Sequence, residues 1–140
     1  MNNTKIVIDG KDLILGRLCS HIAKEALLGK TIAVVNVGDV VITGKKKDVF
    51  GKFKHLREMG EPTHGPFIKR RARELFKRSV RRMLPYKNTR GKEALSRITA
   101  FKGVPARFES VSLQSLEGAH ISKLPTSKYV RLQDVTHFLG

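Results

Sequence analysis

A chain of 140 residues, 40% of them apolar, has enough material for one buried core and too little for two. Its 28 Lys and Arg stand against 12 Asp and Glu, a formal net charge of +16 that calls for a polyanionic partner. The one cysteine excludes an internal disulfide and fits a reducing compartment, and no stretch approaches the roughly 20 apolar residues of a membrane span.

Met1 to Thr4 is polar, and the apolar run Ile6 to Ile8 is broken at once by Asp9 and Gly10, so no secretory signal is read and the protein is expected in the cytosol. Residues 5–9 predict a short buried strand and residues 10–12 a turn. Asp9, at the strand end, is expected to cap that turn or pair with Arg17. From Leu15 onward, Leu18, Cys19, Ile22, Ala23, Ala26 and Leu27 recur at helical spacing, with Gly29 as the C-terminal cap. Cys19 lies on that stripe and is read as core packing. Residues 31–37 form a near-continuous β-branched run, the pattern of a strand covered on both faces, and complete a βαβ unit with a parallel sheet. Residues 40–43 predict a third strand, and residues 45–59 a second, basic helix with Val49, Phe50, Phe53 and Leu56 at helical spacing. A loop at 60–65 leads into a central helix over 67–84. A basic connector at 86–91, a short helix at 92–96 and a fourth strand at 97–101 follow. The tail, 106–140, is less patterned, with an edge strand expected at 129–132 and a helical turn at 134–139.

The central helix is the most informative element. Pro66 suits a helix start and Pro85 a stop. At about 100° per residue, Ile68, Ala72, Leu75, Phe76, Val80 and Met83 share one arc. Lys69, Arg70, Arg71, Arg73, Lys77, Arg78, Arg81 and Arg82 occupy the rest, with Glu74 as the only acid. Cations so crowded repel one another, which an adjacent anion would relieve. The alternative is a solvated basic helix. The window Lys69 to Arg107 holds fourteen basic residues against two acids, so most of the net charge is regional and marks a contact surface.

Other chemistries find little support. Gly10 and Gly16 do not make a dinucleotide-binding turn. Gly38 to Lys46 has the wrong spacing for a phosphate loop and puts Lys46 where a Mg²⁺-binding hydroxyl is needed. His21, His55, His64, His120 and His137 are scattered without metal-ligand spacing. What remains is phosphate binding, with Phe67, Tyr86 and His64 placed to stack on unpaired bases. In the absence of strand-borne RNA motifs, helix-turn-helix patterns or zinc frameworks, backbone and shape recognition of folded RNA is favoured. An RNA-directed enzyme and a basic membrane-surface protein stand as the other readings.

Several ordered motifs carry a resemblance: Leu15-Gly-Arg-Leu18, Gly29-Lys30 before Val-Val-Asn, Val41-Ile-Thr-Gly44, Arg82-Met-Leu-Pro85 followed by Lys87, Arg90-Gly-Lys-Glu-Ala94 and Gly103-Val-Pro105. Together they make the chain resemble the large-subunit ribosomal protein thirteen family in its archaeal and eukaryotic branch, over about residues 5–105. The segments at 128–132 and 135–140 also look like that branch. Arg82 departs from the pattern, since members usually carry Gly before Met-Leu-Pro. The loop 61–66 also departs from relatives.

The resemblance implies a single α/β domain, three-layer α/β/α with a four-stranded parallel sheet, a basic helical excursion and an irregular C-terminal tail. It implies a core over residues 1–105 and an extension over 106–140 packed on the core or the RNA. It further implies no enzymatic activity, no cofactor, no metal and no small-molecule substrate, and a structural role in the cytoplasmic large ribosomal subunit. The partners implied are large-subunit ribosomal RNA and neighbouring ribosomal proteins, with no membrane. The RNA-binding residues are expected to be Arg17, Lys45, Lys46, Lys47, Lys69, Arg70, Arg71, Arg73, Lys77, Arg78, Arg81, Arg82, Lys87, Arg90 and Lys92.

Overall fold

The computed structural model describes residues 5–140; the polar Met1–Thr4 segment lies outside the described residues. Strand β1 (Lys5–Asp9), helix α1 (Leu15–Leu27) and strand β2 (Thr31–Val35) form the expected βαβ unit, β1 and β2 being parallel. Helix α1 stops where Gly29 takes φ +97, a left-handed conformation open to a residue without Cβ. Arg97 donates from Nη1 to the carbonyl of Ala26 at 2.9 Å, satisfying an acceptor at that helix end.

Strand β2 ends two residues earlier than its apolar run suggests. Asn36 turns into the left-handed region at φ 56 and feeds a 3-10 turn at Val37–Asp39. Asp9 helps hold this corner, its Oδ1 accepting from the Asn36 amide at 2.9 Å and from the Lys11 backbone N–H at 3.0 Å. Its role is turn capping, and Arg17 instead donates to the carbonyl of Gly118 at 3.3 Å.

That corner corrects the expected sheet. Strand β3 (Val41–Thr43) is carried out of the parallel sheet and lies beside Ile14, with the Val41 N–H donating to Leu13 at 2.9 Å. It then pairs antiparallel with strand β5 (Tyr129–Arg131), which comes from the far end of the chain. The architecture is therefore a three-stranded parallel sheet in the order β1-β2-β4, β4 being Ile98–Ala100, plus a separate two-stranded antiparallel sheet.

The three-layer expectation is corrected as well. Ile6, Ile32 and Ile98 form one row across the parallel sheet and Ile8, Val34 and Ala100 another, all packed in the principal core. The buried apolar side chains of all five α-helices belong to that same core. On the second face, Val7, Ala33 and Val35 are covered by Phe108 from a 3-10 turn at Ala106–Phe108, with Phe101 beside it. A turn and two aromatic rings thus stand where a second helical layer was expected.

The tail returns repeatedly to the core. Gln114 bridges the edge of β1, donating to Val7 and accepting from Asp9, both at 2.9 Å. Arg131 bonds Asp12 at 2.9 Å, and this hydrogen bond holds its guanidinium above the usual arginine range. Helix α5 (Leu132–Leu139) buries Leu132, Val135 and Leu139, a longer element than the terminal turn expected there.

Cys19 is completely buried on α1, and desolvation pushes its thiol up to about 12. The thiol should therefore resist a disulfide reagent at about pH 8 in the native chain and react promptly once denaturant unfolds it. Rapid labelling of the native chain would contradict this packing.

Candidate nucleic-acid interface

Helix α3 spans Ala72–Arg82, five residues shorter at its start than the sequence suggests. Helical geometry at Lys69, Arg70 and Arg71 would put three more cations at the positive end of the helix dipole. The chain stays extended there, Arg71 having φ −90 and ψ 143, and the first helical turn gains Glu74 instead. The far end differs too. Met83, placed by periodicity on the apolar arc, is 43% exposed, and Leu84 in the following turn is the residue that is buried.

Ala72, Leu75, Phe76 and Val80 are buried, and α3 packs against α1, β4, α5 and the Val37–Asp39 turn. Burial of the Leu, Phe and Val side chains contributes roughly 5–9 kcal/mol. Two exposed cations about 8 Å apart repel by only ~0.5 kcal/mol in water. Apolar docking therefore decides the orientation of the helix, and the cations accept the opposite side.

Arg73, Arg81 and Arg82 are exposed, and Lys77 and Arg78 are half-buried along the flank. Lys69 and Arg70 are exposed on the extended lead-in. Arg70, Arg71 and Arg73 share a cavity of about 450 Å³ with Lys102. On the opposite flank, Lys77, Arg81 and Lys92 line a cavity of about 470 Å³ with Tyr86. Lys69, Lys77, Arg78 and Arg81 converge on a smaller one of about 250 Å³, beside Phe67 and Glu74. Most of the expected cations of this region thus share common concavities.

The others are dispersed. Lys87 and Arg90 are exposed around the start of helix α4 (Thr89–Ser96). Lys45 immediately precedes and Lys46 and Lys47 open helix α2 (Lys46–Glu58), with the Lys46 ammonium 5.4 Å from the Phe50 ring centroid. Arg17 lies apart, in a cavity with His21 and Glu117. Among the described residues, none of these candidate cations takes part in a salt bridge.

Two rings are placed differently with respect to stacking. Phe67 is 65% exposed and open. Tyr86 already carries the Arg81 guanidinium over its ring at 4.4 Å, so one of its faces is occupied. His64 is exposed in the loop before α3. The turn linking α3 to α4 is tightly closed: a Cβ on Gly91 would sit 2.0 Å from the carbonyl oxygen of Pro85 and 2.9 Å from the Tyr86 nitrogen. Only glycine allows the backbone of α4 to approach so closely, and this approach sets Lys92 beside Lys77 and Arg81.

Lys102 and Lys52 line cavities together with candidate cations but were not among the expected RNA-binding residues. Lys102 lies two residues beyond the parallel strand β4, where ligand-facing residues of α/β sheets gather, and that position was its readable signal. Lys52 lies on the basic helix α2, but one helix cannot reveal which neighbour its flank will face. Among the described residues no group of three or more His, Cys, Asp or Glu side chains could hold a metal ion.

A basic α/β domain with one cationic, unpaired side is the class of protein these elements define. Comparison with known proteins makes the assignment particular. The family model described as Ribosomal protein L13 matches residues 3–107. A protein of Methanococcoides burtonii named large ribosomal subunit protein uL13 is 41% identical over 134 residues, covering 96% of each chain. Proteins of the same name from Archaeoglobus fulgidus and Natronomonas pharaonis are 43% and 42% identical over 96% of this chain, and the matches cover 86% and 90% of theirs. The chain belongs to the ribosomal protein L13 family.

Phe76→Ala should lower stability by about 3–5 kcal/mol in urea unfolding, because its ring is fully enclosed. Gly91→Ala should cost roughly 1–3 kcal/mol or more and loosen the α3–α4 turn. Wild-type stability of either variant would show that the corresponding contact is not formed.

Proposed function

We propose that this chain is a structural component of the large ribosomal subunit in the cytoplasm, binding ribosomal RNA and touching neighbouring ribosomal proteins. The role is architectural, with no catalysis, no cofactor and no small-molecule substrate. Its relatives are named for the large ribosomal subunit, which supports the assembly. The observation that carries the RNA reading is the division of α3 into a fully buried apolar arc and an outer side whose cations have no salt-bridge partner among the described residues.

Phosphates are contacted by Lys69, Arg70, Arg71, Arg73, Lys77, Arg78, Arg81 and Arg82, and by Lys87, Arg90 and Lys92 beyond the turn. Arg17 and Lys45 to Lys47 extend the contact as outlying points. Residues 1–105 carry this surface, and the extension 106–140 packs against them, adding Val130, Leu132, Val135 and Leu139 to the same core. Charge-driven contact of this kind recognises backbone and shape before sequence.

The endogenous protein should co-sediment stoichiometrically with large subunits at moderate salt, and recovery only from the free fraction would refute the assignment. Replacing Arg73, Lys77 and Arg81 together by Gln should preserve the thermal melt, weaken binding to ribosomal RNA, and reduce the salt dependence by about one unit of slope per lost contact. An unchanged affinity and slope would move the interface elsewhere.

A further inference from the structure

A cleft of about 310 Å³ opens between α2 and α3, within the ~300–1,000 Å³ of small-ligand sites. Val49, Phe53 and Leu56 form one stripe along α2, at spacings of four and three, and face the cleft with Leu75 of α3. Phe53 and Leu56 are only half-buried, because α2 leans chiefly on α5 and β5 rather than on α3. Leu15 and Ile42 complete the apolar floor.

The rim has the opposite character. Lys52, Arg78 and Arg82 stand around it, with Asp48 as the single acid, and none of the four is in a salt bridge among the described residues. Thr43 and Ser79 bring hydroxyls to the same rim. The Ser79 hydroxyl donates to the Leu75 carbonyl at 3.3 Å, which leaves its oxygen free to accept.

We propose that this cleft receives one unpaired nucleotide of the bound RNA, its base on the apolar floor and its flanking phosphates on Lys52, Arg78 and Arg82. The inference rests on the RNA-binding reading above and adds a specific subsite to it. An apolar slot rimmed by three cations matches a nucleotide, which is flat and apolar on its faces and anionic at its backbone. The slot is also continuous with the outer side of α3 through Arg78 and Arg82, so a strand lying along that helix passes its mouth. Asp48 offers an acceptor to the exocyclic amino group of adenine, guanine or cytosine. A base held in a duplex cannot enter, since it is already paired and stacked.

The test uses the full chain with methyl-labelled Ile, Leu and Val and three RNA probes: a short oligoadenylate, an abasic oligomer of the same length, and a blunt duplex. The methyl resonances of Ile42, Leu56 and Leu75 should move with oligoadenylate alone, whereas the backbone amides of Arg73 and Arg81 should move with all three. Amide shifts with cleft methyls unmoved by oligoadenylate would overturn the subsite and leave RNA binding standing. Amides unmoved by every RNA would overturn both. Cleft methyls that respond to an Asp-Asp-Leu-Asp-Asp peptide but not to oligoadenylate would assign the cleft to a protein partner and overturn the subsite. Phe53→Ala should weaken oligoadenylate binding about tenfold and leave duplex binding unchanged. Should that variant fail to fold, the methyl map of the unaltered chain decides the question.

Discussion

The seating of Phe76 and its neighbours in the core fixes which side of α3 faces outward. A helix can turn only one stripe inward, and on α3 that stripe is Ala72, Leu75, Phe76 and Val80. With these four enclosed by α1, β4, α5 and the turn after β2, the remaining positions have no freedom to hide. Arg73, Arg81 and Arg82 point away because the apolar side chains point in. The outward placement of the cationic side is a consequence of that packing.

The packing also places the flanks. Gly91 lets α4 close on the Pro85–Tyr86 backbone, so Lys92 joins Lys77 and Arg81 around one concavity. At the other end of α3, Arg70, Arg71 and Arg73 meet Lys102 from the end of β4. The charge is therefore presented in groups at set positions along a rod, which suits the fixed phosphate spacing of a folded RNA better than it suits a diffuse polyanion. Mobile surface lysines would attract RNA as well, but would not fix its register.

Elements with strong local periodicity were legible in the sequence: α1 from Leu18, Cys19, Ile22 and Ala26, the βαβ unit, and the apolar arc of α3. Local pattern failed where a distant partner or a turn decided the outcome. Residues 40–43 read as another sheet strand because a short apolar run does not name its neighbour, and here Tyr129–Arg131 supplies it. Asn36 is the residue that diverts the chain, and a single left-handed position leaves little trace in a hydrophobicity pattern. Apolar periodicity ahead of Ala72 carries no trace of the dipole cost of Lys69, Arg70 and Arg71. Most candidate cations on α3 were readable from charge alone, whereas Lys102 and Lys52 needed the fold to bring separate segments together.

The outer side of α3 and its flanks is the face that we propose this family member turns to RNA. Lysine acetylation of the free chain and of intact large subunits, read by mass spectrometry, tests it most directly. Lys69, Lys77 and Lys92 should be modified in the free chain and strongly protected in the subunit. Equal reactivity of these three lysines in both states would contradict the account.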